Sequence, residues 1–401
     1  MPRFKYQGRA TSGKVDGLVT SPSKREAMMK LREQGIRVFD IQEVKETLLT
    51  RELTIGNPVK LQHFVIYLRQ FATLLKAGIS VVDATKILSQ QSASKVLKRV
   101  LLDVEEDLRS GQALSQSSSK HKKVFTPMFI NMVRAGEASG SLDETLERLA
   151  EHYEKQHYTK QKIISALAYP VVVGIIAVVV VIFLLVQVVP TFVSMFAGFN
   201  AELPLITRLV LDASEFMQKF WWIIIIVGIL SYATLQVLKQ QKSSRYYLDY
   251  LQLKIPVFGP MFQKAAIARM TRTLSSLFTS SVPILQALSI VEDVVENEVI
   301  ARVINESKDS LERGVSLTEP MKKHWAFPPL VTQMIAIGEE TGSLDAMLGK
   351  IADFYEKEVE SSTDRLKSLI EPIMIVVLAS IVGTIVTAII VPMFDIFNKI
   401  N

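Results

Sequence analysis

Charged side chains are absent from three long apolar stretches of the 401-residue chain. The densest part of the first stretch is 171–189, and the other two are 220–238 and 372–394. An α-helix rises about 1.5 Å per residue, so about 20 apolar residues cross the hydrocarbon core of a bilayer. We therefore predict three transmembrane helices, at 167–190, 220–238 and 372–394.

The interiors of these stretches hold no Asp, Glu, Lys, Arg or His residue, and the polar Gln187 lies near an end. Transporters and proton channels usually place ionisable groups near the middle of the bilayer, so the pattern disfavours them. The third stretch instead carries small residues at a spacing of four, which lets helices approach closely. Ala379, Gly383 and Thr387 form this stripe, and we predict that it packs against a helix of the same or another subunit.

Basic residues flank the apolar stretches on one side of the predicted membrane. They are Lys155, Lys160, Lys162, Lys239, Lys242, Arg245, Arg365 and Lys367. The segment between the first two stretches has two basic and three acidic residues. By the positive-inside rule, the N-terminus and 239–371 lie in the cytoplasm, whereas the loop 191–219 and the tail 395–401 lie outside it.

The chain contains an internal repeat. Residues 127–159 align without gaps with 329–361, at an offset of 202. Upstream, 68–85 (LRQFATLLKAGISVVDAT) aligns with 271–288 (TRTLSSLFTSSVPILQAL) at an offset of 203. Apolar residues recur at helical spacing in both copies, so each copy is predicted to be a helical domain.

The repeat also fixes the number of crossings. Both copies look soluble and each leads into an apolar stretch, so a further crossing between them is needed, which 220–238 supplies. We predict cytoplasmic helical domains at 61–166 and 264–371, with a connector at 239–263. The prolines that bound the repeated membrane helices recur at the same offset, as Pro170 and Pro190, then Pro372 and Pro392.

A loop of near-identical sequence occurs in both copies, as GEASGSLD at 136–143 and GEETGSLD at 338–345. Its glycines suit a left-handed turn between helices, and Ser141 with Glu144 has the spacing of a capping box. One departure lies elsewhere, because Ser280-Ser281 replaces the Ala77-Gly78 turn of the first copy. The loop residues that we single out are Gly136, Glu137, Gly140, Leu142, Gly338, Glu339, Gly342 and Leu344.

The first 45 residues differ from the repeats. RFKYQ and KVDGLVT have the alternation of short strands, Ser23 and Glu26 form a capping-box pattern, and IRVFDIQ reads as a third strand. We predict a small ββαβ module at 1–45. Residues 46–60 end in Gly-Asn-Pro-Val-Lys and are predicted to be a linker.

Composition narrows the function further. The chain has no cysteine, which excludes disulfides, cysteine metal sites and thiol catalysis. The net charge of +6 comes with basic residues beside apolar stretches, so we interpret it as a membrane-facing charge and predict no direct nucleic-acid binding. GRATSGKV at 8–15 matches part of a phosphate-binding loop but ends in valine, and a hairpin turn is the better interpretation.

Four carboxylates are the remaining candidates for chemistry: Glu137, Asp143, Glu339 and Asp345 occupy matching places in the two copies. Helix capping and loop hydrogen bonding explain them best. A hard cation such as calcium is a weaker alternative, and no catalytic set accompanies them. We therefore predict no cofactor.

These features together resemble the type II secretion protein F family, which includes the platform proteins of type IV pili. The resemblance rests on YQGRATSGKVDG, LRQFATLLKAGISVVDA, the doubled GExSGSLD-type loop and two proline-bounded membrane helices. It implies an all-α membrane protein with about six helices in each cytoplasmic domain. It also implies a non-enzymatic scaffold of the bacterial cytoplasmic membrane, commonly dimeric.

Further partners are implied by the same resemblance. A hexameric assembly ATPase would dock on the cytoplasmic side, and pilins or pseudopilins would be fed into a fibre beside other inner-membrane assembly proteins. Pilus, secretion and competence machines all use such a platform. A transporter or channel component, and a membrane-bound enzyme, remain as alternatives from other classes.

Overall fold

The structure is a computed structural model, and it describes residues 3–10, 13–20, 24–33, 35–44, 58–192 and 204–400. The chain divides into two compact units, Met1–Pro58 and Val59–Asn401. The second unit contains both copies of the repeat and all of the long apolar helices.

The N-terminal unit is a three-stranded antiparallel sheet with one helix. Its strands lie in the order β2-β1-β3, and Phe4 and Ile41 are buried against Leu31 of the helix. The GRATSGKV motif lies on the β1–β2 hairpin, where Arg9 pairs with Lys14, which agrees with the hairpin interpretation. Ser23 of the predicted capping box lies outside the described residues. The elements are β1 (Arg3–Ala10), β2 (Gly13–Thr20), α1 (Lys24–Glu33) and β3 (Arg37–Val44).

Each copy of the repeat contributes six helices to the described structure. The first copy contains α2 (Leu61–Lys76), α3 (Val81–Gln91), α4 (Lys95–Arg109), α5 (Leu114–Ser119), α6 (Pro127–Ser139) and α7 (Leu142–Phe183). The second contains α10 (Phe258–Thr279), α11 (Ile284–Val294), α12 (Glu298–Glu312), α13 (Thr318–Lys323), α14 (Pro329–Thr341) and α15 (Leu344–Ile400). The buried residues of both copies form one continuous hydrophobic cluster.

Side-chain caps start several of these helices. Ser80, Ser94 and Thr126 accept hydrogen bonds from backbone N–H groups three residues later, and Asn297 does the same at α12. Such caps satisfy N–H groups that a helix start leaves without partners.

The predicted capping box of the repeat loop is wrong. Gly140 and Gly342 do take the left-handed turn, with φ of 72° and 70°. The Ser141 hydroxyl, however, hydrogen-bonds to Ser139 at 2.7 Å, and Glu144 pairs with Arg148 at 3.5 Å. The end of α6 therefore takes the hydroxyl that the start of α7 was expected to use.

The Ser280-Ser281 departure leaves the turn unchanged. Ser281 adopts φ 58°, close to the 82° of Gly78 in the first copy. The N–H of each residue bonds to a carbonyl three residues back, at 2.9 Å and 2.8 Å. A serine in the left-handed region is strained relative to glycine, but the surrounding helices hold it there.

The prolines predicted as boundaries do not end helices. Helix α7 passes through Pro170 and is followed by a π-helical turn at Leu184–Val188, whereas α15 passes through Pro372 and Pro392. Proline removes one backbone hydrogen bond, a loss that membrane helices tolerate. Each copy therefore continues into its apolar segment as one helix. The tail predicted at 395–401 is helical as far as Ile400.

A long helix replaces most of the predicted loop 191–219. Helix α8 runs from Leu205 to Gln240, so its first part covers 205–219 and its second part covers the apolar stretch 220–238. A bend of 48° within the apolar stretch separates Leu205–Ile223 from Ile225–Leu238. Helix α9 (Lys242–Lys254) follows within the predicted connector.

The first part of α8 is helical because it has helices to pack against. Val210 is buried in a small cluster with Leu185 of the π-turn and Ala388 of α15. Thr207 donates to the Ala388 carbonyl at 2.8 Å, and Ser214 donates to the Leu185 carbonyl at 2.5 Å. The hydroxyl of Ser214 thereby contacts a carbonyl of the π-turn.

The predicted small-residue stripe of α15 is not the face used within the chain. Ala379, Gly383 and Thr387 are exposed, and the contact is made by Ile385 and Ala388 instead. The stripe is therefore not packed within the described part of the chain. Its packing between subunits stays a prediction.

Two helices are long and apolar enough to cross a membrane, Leu142–Phe192 and Leu344–Val391, and a third crosses if the bent α8 counts as one span. Most of their apolar side chains are exposed, including Val179, Ile229 and Ile375 at 60–64%. Apolar surfaces of this extent are rarely exposed to water, whereas the hydrocarbon core of a bilayer accommodates them. The chain is therefore a membrane protein.

Candidate functional site

The repeat loop is built on close contact between two helices. A Cβ added at Gly136 would lie 2.5 Å from the Thr145 hydroxyl, and one at Gly338 would lie 3.1 Å from the Leu344 Cα. Glycine at these positions lets α6 approach α7, and α14 approach α15, more closely than any side chain permits. The singled-out glycines are thus structural.

The glutamates of the repeat loop cap short helices. Glu137 accepts the Ser115 N–H at 3.3 Å, at the start of α5. Glu339 accepts the Leu317 N–H at 3.0 Å and the Ser316 hydroxyl at 2.6 Å, just before α13. This arrangement agrees with the capping interpretation, because a carboxylate is stabilised at a helix N-terminus.

The candidate cation ligands do not converge. Asp143 and Asp345 lie in the first turns of α7 and α15, whereas Glu137 and Glu339 point to neighbouring helices. Among the described residues, no group of three or more His, Cys, Asp or Glu side chains is arranged to hold a metal ion. The described geometry offers the calcium alternative no support.

A repeated arginine–glutamate bridge was missed in the sequence. Arg69 of α2 binds Glu154 of α7 through two hydrogen bonds, at 2.7 Å and 2.5 Å. Arg272 of α10 binds Glu356 of α15 in the same way, with both bonds at 2.8 Å. Matching arginines at offset 203 and glutamates at offset 202 could have revealed the pair. Each bridge holds the first helix of a copy against its last.

The two copies meet along a charged seam between α7 and α15. Lys155 lies 3.1 Å from Asp353, and Lys162 lies 2.6 Å from Glu360. Tyr158 also donates to Glu360, at 3.2 Å. In these contacts the first copy supplies the cations and the second supplies the carboxylates. They line a groove of about 440 Å³, together with Glu154 of the first copy and Lys357 of the second.

This seam is not a symmetric contact between equivalent positions. At the offset of 202, Glu360 corresponds to Tyr158, and Lys162 corresponds to Asp364. The copies have therefore diverged so that one complements the other. The hydrogen bond between Lys162 and Glu360 raises the pKa of Lys162 to about 12 and lowers the pKa of Glu360, so both groups stay charged near neutral pH.

A buried histidine lies where α7 meets α10. His152 precedes the predicted membrane segment, is 4% exposed, and lies 3.4 Å from the Ser276 hydroxyl. Burial lowers the pKa of His152 to about 3, and the positive charges of Arg272, Arg269 and Lys155 act in the same direction. The imidazole is therefore neutral at physiological pH. In the sequence, His152 and His157 share a polar helix face, which predicts solvated surface histidines; for His152 this prediction is wrong.

These features define a membrane protein made by internal duplication, in which two six-helix bundles each extend into an apolar helix. The chain belongs to the type II secretion system protein F family. It matches the description "Type II secretion system (T2SS), protein F" over 67–190 and 270–392, which are the two copies. Residues 1–42 match the N-terminal domain of protein F.

Relatives from two kinds of machine resemble the chain over nearly its full length. The type IV pilus assembly protein PilC of Thermus thermophilus is 36% identical over 405 residues, covering 100% of both chains. The protein of the same name from Pseudomonas aeruginosa is 36% identical and covers 92% of this chain and 98% of its own. The type II secretion system protein F of Xanthomonas campestris is 32% identical, with 100% of both chains covered.

The two arginine bridges provide a matched pair of mutations. Arg272 and Glu356 are 15% and 21% exposed, whereas Arg69 and Glu154 are 37% and 39% exposed. Removing one partner of a shielded ion pair costs more than removing one in water. We expect Arg272→Gln to lower the free energy of unfolding by about 2 kcal/mol and Arg69→Gln by about 1 kcal/mol. Denaturation of the full chain in detergent checks this, and an equal or reversed order would contradict it.

The lowered pKa of His152 predicts that the folded protein loses stability in acid. The unfolded chain protonates this side chain below about pH 6.5, whereas the folded chain resists protonation down to about pH 3, so stability falls as pH is lowered between them. The slope is at most about 1.4 kcal/mol per pH unit. Between about pH 7 and pH 5, we expect the free energy of unfolding of His152→Gln to fall by about 2 kcal/mol less than that of the parent chain. Unfolding measured at both pH values checks this, and identical losses in the two proteins would refute the assignment.

Proposed function

We propose that the protein is a non-enzymatic platform in the bacterial cytoplasmic membrane, serving a type IV pilus, type II secretion or competence machine. The observation that carries the proposal is mechanical. The last helix of each cytoplasmic bundle runs without a break into the membrane, so a displacement of the bundle moves the membrane segment with it. The printed names of the relatives, pilus assembly protein and secretion system protein, support the setting.

The proposed topology has three crossings, with the N-terminus in the cytoplasm and the C-terminus outside. Helices α7, α8 and α15 supply the crossings, and the basic residues beside them support the orientation. Both copies then lie on the cytoplasmic side. The first part of α8 lies at the opposite face, packed on the ends of α7 and α15.

The proposed mechanism transmits force along rods. The helix from Leu142 to Phe192 has 51 residues, or about 75 Å at the usual rise. A hexameric assembly ATPase that pushes or turns the bundles would displace the membrane ends of α7 and α15 together. The ion pairs between Lys155, Lys162 and the second copy couple the two rods.

The proposed partners follow from this arrangement. The ATPase docks on the cytoplasmic bundles, and pilins or pseudopilins contact the membrane helices, beside other inner-membrane assembly proteins. The exposed stripe of Ala379, Gly383 and Thr387 offers a close-packing surface for a second copy of the chain in a dimer. We propose no cofactor, metal or nucleic-acid ligand.

The seam provides the functional test. Lys162→Glu places two carboxylates together and replaces an attraction with a repulsion at the seam. We expect fewer fibres from cells that carry this variant in place of the native gene. The double variant Lys162→Glu/Glu360→Lys restores opposite charges and should restore fibre number.

Lys160→Glu is the matched control, because Lys160 is exposed and lies two residues from the seam lysine. It should leave fibre number unchanged. Immunoblots of the membrane fraction must show equal amounts of all variants. Normal fibre number in Lys162→Glu cells at normal protein level would contradict the coupling role.

A further inference from the structure

Helix α9 carries an apolar stripe that nothing in the described chain covers. Its opposite face is anchored, because Asp249 accepts the Glu298 N–H at 2.8 Å and Leu253 is buried. Tyr247, Tyr250 and Leu251 occupy the outward stripe at 73%, 38% and 63% exposure. These positions repeat at three- and four-residue spacing, so the stripe is one continuous helix face.

The apolar surface continues beyond the end of α9. Ile255, Val257 and Trp325 are 40%, 57% and 42% exposed, and the Trp325 ring lies edge-on to Tyr250 at 5.6 Å. Val257 has φ 72°, a conformation that β-branched residues rarely adopt. The backbone is thus held in a strained turn that leaves a valine in the open.

Cations accompany this surface. Lys254 lies over the Trp325 ring at 4.1 Å, and Arg302 lies over the Tyr246 ring at 4.0 Å. Helix α9 has three basic residues and one acidic residue, Asp249, which is buried and pairs with Arg245 at 3.6 Å, so Lys254 is the basic residue of the helix that contacts the apolar surface. The exposed face therefore combines tyrosine, tryptophan, aliphatic side chains and positive charge.

Both ends of α9 are tied to helices that lead to the membrane. Gln241 alone separates it from α8. At the other end, α10 begins at Phe258, and Met261 contacts Thr363 of α15 at 3.9 Å. Thr363 precedes the third apolar stretch by nine residues, or about 14 Å along the helix.

We infer that α9, with Ile255, Val257 and Trp325, lies on the cytoplasmic surface of the membrane and binds anionic lipid headgroups. Aromatic rings and lysines at the level of the headgroups, with aliphatic side chains below them, are what an interfacial helix presents. Each basic residue near such a surface strengthens binding to negatively charged lipid. The inference rests on the proposed topology, in which α8 crosses the membrane and α9 emerges in the cytoplasm.

The three tryptophans of the chain allow a direct test. The variant Trp221→Phe/Trp222→Phe leaves Trp325 as the only tryptophan in the full-length protein. We expect its emission, in vesicles of equal parts phosphatidylglycerol and phosphatidylcholine, to be quenched by lipids brominated near the headgroup. Quenching should weaken in phosphatidylcholine alone. It should also be lost with Tyr247→Asn/Leu251→Asn, whereas the equally polar change Ile337→Asn, at an exposed site on α14, should have no effect.

Two reporters separate the possible failures. The first reporter is the variant Trp221→Phe/Trp325→Phe, whose only tryptophan is Trp222 of α8. The second carries Lys350→Trp in a variant that lacks all three native tryptophans, so its emission reports on the cytoplasmic bundle. Quenching of Trp222, with Trp325 no more quenched than the Lys350→Trp reporter, would overturn the inference and leave the topology intact. Loss of quenching at Trp222 as well would overturn both. Shielding of Trp325 by added assembly ATPase, without lipid quenching, would assign the surface to a protein partner and overturn the lipid inference.

Discussion

Backbone hydrogen bonding inside the lipid is the constraint on which the rest of this structure depends. A chain in hydrocarbon must satisfy its own N–H and C=O groups, so it crosses as unbroken helix. In this chain the helical segments also extend beyond the apolar stretches, because α7 and α15 start within the helical bundles and continue through Pro170 and Pro372. Each bundle is therefore attached to the membrane by a helix rather than by a flexible linker.

Duplication of the domain gives two such helices, and the copies have diverged so that their surfaces carry opposite charges where they meet. The internal bridges are conserved between the copies, as Arg69–Glu154 and Arg272–Glu356. The seam is not, because lysines of one copy face carboxylates of the other. Bridges within the copies keep each bundle whole, and the seam specifies which surfaces of the two bundles meet.

Much of this architecture was predictable from sequence because the signals extend over many residues. Uncharged stretches, helical periodicity and a repeat at a fixed offset predicted the helical copies and the apolar spans, whereas the count of about six helices in each copy came from the family resemblance. Single-residue signals were weaker. The Ser141 capping box failed because the preceding helix end takes the hydroxyl. The helices continue through the prolines, because membrane helices tolerate proline, and the prolines as bounds of the membrane segments stay a prediction. The arginine bridges and the seam join residues about 80 to 200 positions apart, so no local pattern indicates them.

The central claim is that bundle and membrane segment form one rigid helix. Because the chain has no cysteine, spin labels can be attached at Glu151→Cys and Ile176→Cys without first removing native cysteines. These two exposed positions of α7 lie on either side of Pro170. The label distances are measured for the full chain in vesicles. From the rise per residue, a continuous helix predicts a narrow distribution of distances centred at about 38 Å between the two backbone positions. A broad distribution centred at a clearly shorter distance would show a joint at the membrane surface and contradict the account.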